Sequence, residues 1–173
     1  MQIGEFLQIQ REIARYNALP VIFSGFVDSL VLRDDTAGLL CVDMQPAEPL
    51  MGTVPAYGFE IWVNHEKVGI VSLRIGYTRA LYYSGQIGYM VDVPFRGNGY
   101  AARACNLLVP LMRAHGMTKA LITNNPENHA SRRVCEKLGA KLLRIVKIPK
   151  SHALYEAGDR YKNIFEWDIM GRE

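Results

Sequence analysis

The chain has 173 residues with 20 Lys+Arg against 17 Asp+Glu, a formal net charge of +3, and 49% hydrophobic against 21% charged residues. This is ordinary globular usage, which excludes disorder and collagen-like repeats and fits one domain over residues 1–173, with a less defined portion at 1–55. No apolar stretch nears the ~18 residues of a membrane span, Met1–Arg15 is too charged for a signal peptide, and so small and dispersed a charge argues against nucleic acid; three scattered cysteines without a disulfide framework lead to the expectation of a reduced, cytoplasmic protein.

Phe6, Ile9, Ile13 and Tyr16 recur at helical spacing and predict an amphipathic helix over 4–16. Leu30-Val31-Leu32 and Leu39-Leu40-Cys41-Val42 read as short strands, and Pro46, Pro49, Gly52 and Pro55 mark a loop. The aromatic and β-branched runs Tyr57–Val63 and Val68–Ile75 flank the turn residues Asn64-His65-Glu66-Lys67, a hairpin that Ile87–Val93 extends into a meander.

After Val93 the period changes. Glycines at 97 and 99 precede a helix running from Ala101 to a left-handed stop at Gly116, with Pro110 expected to kink it. Ala120–Thr123 reads as a buried strand, and a second helix starts at Asn128 and closes at Gly139. Leu142–Ile148 and Ile164–Ile169 read as the last strands, joined by a polar, aromatic loop. The basic residues Lys141, Arg144, Lys147 and Lys150 are expected to decorate the first of these.

The chemistry concentrates at Val91-Asp92-Val93-Pro94-Phe95-Arg96-Gly97-Asn98-Gly99-Tyr100-Ala101-Ala102, a strand entering a glycine loop and a helix start. Amides at a helix N-terminus lack intrahelical partners and face the positive end of the dipole, and glycines let an anion approach them, so a phosphate-bearing ligand is expected. A tight turn needing positive φ at two glycines is the bland alternative. Gly97-x-Gly99-x-x-Ala102 formally fits a dinucleotide fingerprint, but the acid expected about 20 residues on is missing and the preceding strands look antiparallel. Cys41, Cys105 and Cys135 are odd in number and scattered, so neither a disulfide framework nor a zinc site is encoded and no metal is expected.

Arg96-Gly97-Asn98-Gly99-Tyr100-Ala101 resembles the acyl-coenzyme A loop of the GNAT superfamily of N-acetyltransferases, Arg or Gln, two residues, Gly, one residue, Gly or Ala. Asn128-His129-Ala130-Ser131-Arg132-Arg133-Val134-Cys135-Glu136-Lys137-Leu138-Gly139 resembles the family's second motif, and with Gln86-Ile87-Gly88-Tyr89-Met90-Val91 the pair is most similar to the branch of ribosomal-protein alanine acetyltransferases. The resemblance spans roughly 57–169 and implies an α/β fold, a mixed, largely antiparallel twisted sheet flanked by helices, with acetyl-CoA as co-substrate in a splay between the strands at Ile87–Val93 and Ala120–Thr123.

On that resemblance the pyrophosphate lies on amides of Arg96, Gly97, Asn98, Gly99, Tyr100 and Ala101, and the pantetheine runs along the main chain of Met90, Val91 and Val93. Asn128 contacts the pantetheine, caps its helix, or does both, and Arg133 reaches a phosphate or stays solvated. The family's glutamate base and tyrosine acid are replaced by Gln86 and Cys135, so Ser131 is the candidate catalytic acid, with a helix cap as its alternative role. Cys135 either donates a proton or is a small buried residue. Glu60, Asp92 or the loop carrying His152, Tyr155, Glu156, Asp159 and Tyr161 are candidates to relay a proton or attract the amine. Tyr57, Tyr77, Tyr82 and Tyr83 either line a cleft or pack the meander. The implied activity is transfer to a primary amine, on a small molecule or a protein N-terminus, and the rival is a module that binds acyl-CoA without turnover. A homodimer is compatible with the sequence.

Overall fold

Alternation of buried and exposed side chains builds the first sheet. In the computed structural model, which describes residues 3–171, β1 (Ala37–Gln45), β2 (Ala56–Val63), β3 (Glu66–Arg74) and β4 (Ile87–Val91) pair antiparallel in chain order. Tyr57, Phe59, Ile61, Val71 and Leu73 are buried, while Trp62, Ile70 and Ser72 between them face the other way. The β2–β3 connection takes positive φ at Asn64 and His65 (49° and 67°), as a two-residue hairpin turn requires.

The second sheet is β5 (Lys119–Asn124), β7 (Tyr161–Asp168) and β6 (Lys141–Lys147) in that spatial order, again antiparallel. Two apolar layers cover it. Ala120, Ile122, Phe165 and Trp167 join the main core, together with the helices α3 (Tyr100–Leu107), α4 (Val109–Ala114) and α5 (His129–Lys137). On the other face Leu121, Val146 and Ile164 pack against Ile9, Ile13 and Tyr16 of α1 (Ile3–Asn17) and Tyr82 and Tyr83 of α2 (Arg79–Ser84).

Several expectations are corrected here. Leu30-Val31-Leu32 forms no strand; only a bridge between Arg33 and Gly38 connects it to β1, which itself extends from Ala37 to Gln45. The helix expected through Pro110 is two helices, α3 and α4, because Pro110 in the first turn of α4 has no N–H to continue the earlier ladder. β4 stops at Val91, where Pro94 sits in a single 3-10 turn, Val93–Phe95. The stretch before β4 holds α2, started by Thr78, whose side chain accepts the Leu81 N–H, and the late loop holds the short α6 (Ala153–Glu156).

The connection between α1 and β1 is tied down by a polar chain. Val27 N–H donates to Tyr57 OH, which lies 2.7 Å from His115 Nε2, and His115 Nδ1 lies 3.1 Å from Ile22 O. Tyr57 and His115 are both buried, so Tyr57 packs the core and lines no cleft. Among the described residues no helix is long and apolar enough to cross a membrane.

Candidate functional site

The two sheets meet at one point and then part. Gln86 N–H donates to Leu121 O (2.8 Å), and the Gln86 side chain accepts the Leu121 N–H through Oε1 (2.6 Å) while its Nε2 donates to Gly76 O (3.0 Å). Gly85 permits this approach: a Cβ there would stand 2.9 Å from Leu121 O. Beyond this vertex β4 and β5 belong to separate sheets and share no ladder.

Register decides which groups of β4 face the gap. Asp92 N–H donates to Val68 O, and the pairs run Val91 with Gly69, Met90 with Ile70, Tyr89 with Val71. Bonded and non-bonded pairs alternate in an antiparallel ladder, so Gly88 and Met90 give their main-chain groups to β3 while Ile87, Tyr89 and Val91 turn theirs to the open edge. Met90 therefore offers that edge only an exposed side chain. Val91 O accepts a hydrogen bond from Arg96 Nε at 2.9 Å, which fixes the arginine against the strand end. Val93 is exposed at the start of the 3-10 turn.

The glycine loop then presents its amides. Gly97 and Gly99 take φ of 87° and 80°, and a Cβ on Gly97 would meet nothing within 4 Å. The ladder of α3 begins with Arg103 N–H to Gly99 O, so the amides from Gly97 to Ala102 precede it and meet no backbone acceptor among the described residues. Asn98 folds back to donate to Phe95 O (3.0 Å). Tyr100 opens the helix half-buried and Ala101 is buried beneath it. Lys137, at the end of α5, brings Nζ within 3.6 Å of where a Gly99 Cβ would stand, a cation at the loop that sequence reasoning did not single out.

Across the gap, Asn128 caps α5 by accepting the Ser131 N–H at 3.0 Å, so its capping role is real. Ser131 Oγ and Tyr89 OH share a hydrogen bond of 2.8 Å, a pairing no motif spacing could reveal because it joins β4 to α5. Burial, with the neighbouring Cys135, pushes the Tyr89 phenol far up, so it stays protonated. Cys135 is fully buried, its thiol pushed up to about 12 by burial, and Asn124 Nδ2 donates to its sulfur at 3.7 Å. It is the small buried residue of the two alternatives. Arg133 is exposed.

Gln86 is fully buried with both ends of its amide engaged, which makes it a brace between the sheets. Glu60 is held by Lys67 and Trp62, and Asp159 by Lys162 and Asn125. Burial opposes ionisation of Asp159, yet those partners keep its carboxyl below the usual range. A wide depression of 670 Å³, lined by residues including Leu30, Leu32, Leu40, Trp62 and His65, contains none of the loop residues. No cluster of metal-ligating side chains occurs among the described residues.

Residues 39–141 match the family model described as Acetyltransferase (GNAT) domain. The chain belongs to this GNAT acetyltransferase family. No curated protein matches it at the sequence level. Among solved structures it is similar to apo RimL, a ribosomal L7/L12 alpha-N-protein acetyltransferase, with 20% identity, a TM-score of 0.51, and coverage of 66% of this chain and 70% of that one. It is also similar to ribosomal-protein-S5-alanine acetyltransferase from Vibrio fischeri, with 24% identity and a TM-score of 0.53 over 68% of this chain and 64% of that chain. The microcin C7 self-immunity acetyltransferase MccE, solved with acetyl-CoA and AMP, gives 20% identity and a TM-score of 0.50 over 65% and 61% of the two chains. The GNAT chain thus spans under two thirds of the last two, and at these identities the likeness concerns the fold: a mixed α/β architecture of antiparallel sheets flanked by helices.

Proposed function

We propose that this GNAT chain transfers an acetyl group from acetyl-CoA to a primary amine, on a protein N-terminus or a small molecule. The observation that carries the reading is the pairing of a parted sheet edge with a glycine loop whose amides are free and whose front is open. Those are the donors a pyrophosphate needs, and the outward main-chain groups of Tyr89 and Val91 suit an amide-bearing arm laid along them like an added strand. Arg96, bonded to Val91 O, helps through its charge, and Lys137 adds a second cation.

Acetyl-CoA supplies the acetyl group as a thioester. In direct transfer the amine nitrogen forms the new C–N bond, the C–S bond breaks, the nitrogen loses a proton to solvent, and the thiolate takes one up. In this reading the hydroxyls of Ser131 and Tyr89, joined at 2.8 Å between β4 and α5, serve as the donors to the thiolate. Gln86 cannot act as base, since it does not titrate and both ends of its amide are bonded, which leaves water relayed to Glu60, Asp92 or the last loop, or attack by the neutral fraction of the amine.

Calorimetric titration with acetyl-CoA and, separately, NAD tests the site, followed by a screen of amines for CoA thiol release. Binding of acetyl-CoA alone is expected. The engaged Gln86 and buried Cys135 favour one second reading, an acyl-CoA-binding module without turnover, which predicts binding with no thiol release on any amine.

A further inference from the structure

Three arginines among the described residues are half-buried: Arg74, Arg103 and Arg144. Arg103 pairs with Asp34 and Arg144 with Glu12, but Arg74 on β3 has no carboxylate partner among the described residues, where it makes one side-chain hydrogen bond, from Nη1 to Gly85 O at 3.3 Å. Burial lowers the pKa of its guanidinium, which nevertheless remains ionised at any physiological pH. A partly desolvated cation with nothing to balance it carries a cost that an arriving anion would relieve.

Its position gives that anion a place in the reaction. Val71 and Leu73 of β3 point into the core shared with α3 and α5, so Ser72 and Arg74 face the opposite side of the sheet. There Gly88, the cross-strand neighbour of Ser72, leaves room for these two side chains: a Cβ on it would crowd Ser72 Oγ at 3.1 Å and stand 3.9 Å from Arg74 Nη1. The Gly85 carbonyl that Arg74 contacts belongs to the vertex where β4 and β5 begin to part. A guanidinium and a hydroxyl thus lie at the mouth of the splay, on the face away from the glycine loop's helix. Farther out on the α1 and α2 side, Arg79, Lys147 and Lys150 rim a 260 Å³ depression over Tyr83 and Ile148, and none of the three forms an ion pair among the described residues. Three more cations without an ion pair among the described residues thus lie farther out on this side.

We propose that Arg74 binds an anionic group, a carboxylate or a phosphate, carried by the amine acceptor. The inference rests on the proposed acetyl transfer for its acceptor and adds what that acceptor must carry. A fork of guanidinium donors suits either anion bidentately; the one hydroxyl hydrogen of Ser72 beside it is already donated to Gly88 O at 3.4 Å.

The test uses matched primary amines, phosphoethanolamine against ethanolamine and phenylalanine against phenylalaninamide, titrated calorimetrically into the CoA-saturated protein. At least one member that carries the anionic group is expected to bind about tenfold more tightly than its partner without it, and the pair that responds distinguishes phosphate from carboxylate. Arg74→Gln should bring that ratio within about twofold and Arg74→Lys should keep part of it, each leaving CoA affinity within about twofold. An unchanged preference in folded Arg74→Gln protein, or no preference for either anion in the wild type, overturns the inference while leaving acetyl transfer standing. Failure of the wild type to bind acetyl-CoA overturns both.

Discussion

Gln86 Oε1 accepts the backbone N–H of Leu121 at 2.6 Å, and this one side-chain bond pins the point from which the two sheets diverge. The same amide donates to Gly76 O, so its chemistry is used up within the fold. Gln86→Glu exchanges that donor for a carboxylate facing a buried carbonyl and should destabilise the protein by about 2–4 kcal/mol without raising activity. Urea unfolding and the rate of CoA release measure the two halves; a Glu variant of native stability and higher rate would refute the brace.

Gly99 sits at φ 80° with Lys137 Nζ 3.6 Å from its missing Cβ. Gly99→Asp strains the loop, sets a carboxylate among the free amides and neutralises the lysine, so acetyl-CoA binding should fall at least about a hundredfold. Lys137→Gln removes a single partly screened cation and should cost only about three- to tenfold in the same titration.

The Ser131–Tyr89 pair makes a kinetic prediction. Ser131→Ala should lower kcat about a hundredfold while leaving acetyl-CoA affinity within about threefold. Adding Tyr89→Phe should cost little more, because the two hydroxyls share one hydrogen bond and act as a unit. Fully additive losses would place them in separate roles. Cys135→Ala, deep in the core, should spare acetyl-CoA binding.

What the sequence made legible follows from how local each signal is. The meander, the glycine loop and the capping Asn128 rest on contacts within a few residues, and period or capping chemistry announces them. α2 stayed hidden because Arg79–Ser84 is too short to show a period, and its two buried tyrosines read equally well as strand. Arg74, Tyr89 and Lys137 were missed for a different reason. Their partners are set by strand register and helix docking, as when Tyr89 of β4 meets Ser131 of α5, 42 positions away in the chain. The exchange of a family glutamate for Gln86 was visible in the sequence; that the glutamine braces two sheets was not.

Acid should loosen α1 from the second sheet. Glu166 of β7 accepts from Tyr16 OH, from Arg15 at 2.8 Å and from Lys119 at 2.7 Å. Burial alone would raise its pKa, but Lys119, Tyr16 and Arg15 outweigh it and hold the carboxyl below its ordinary value. A depressed folded-state pKa stabilises the native protein above the unfolded value of about 4.3, and that contribution is lost as pH falls through the folded pKa. Glu166→Gln should therefore cost about 1–2 kcal/mol at neutral pH, a range that allows for solvent screening of Arg15, and nothing once the wild-type carboxyl is protonated. Urea unfolding of both proteins between pH 7 and pH 3 should show the stability curves converging at the acid end. Curves that stay parallel would mean that Tyr16 docks α1 by packing alone.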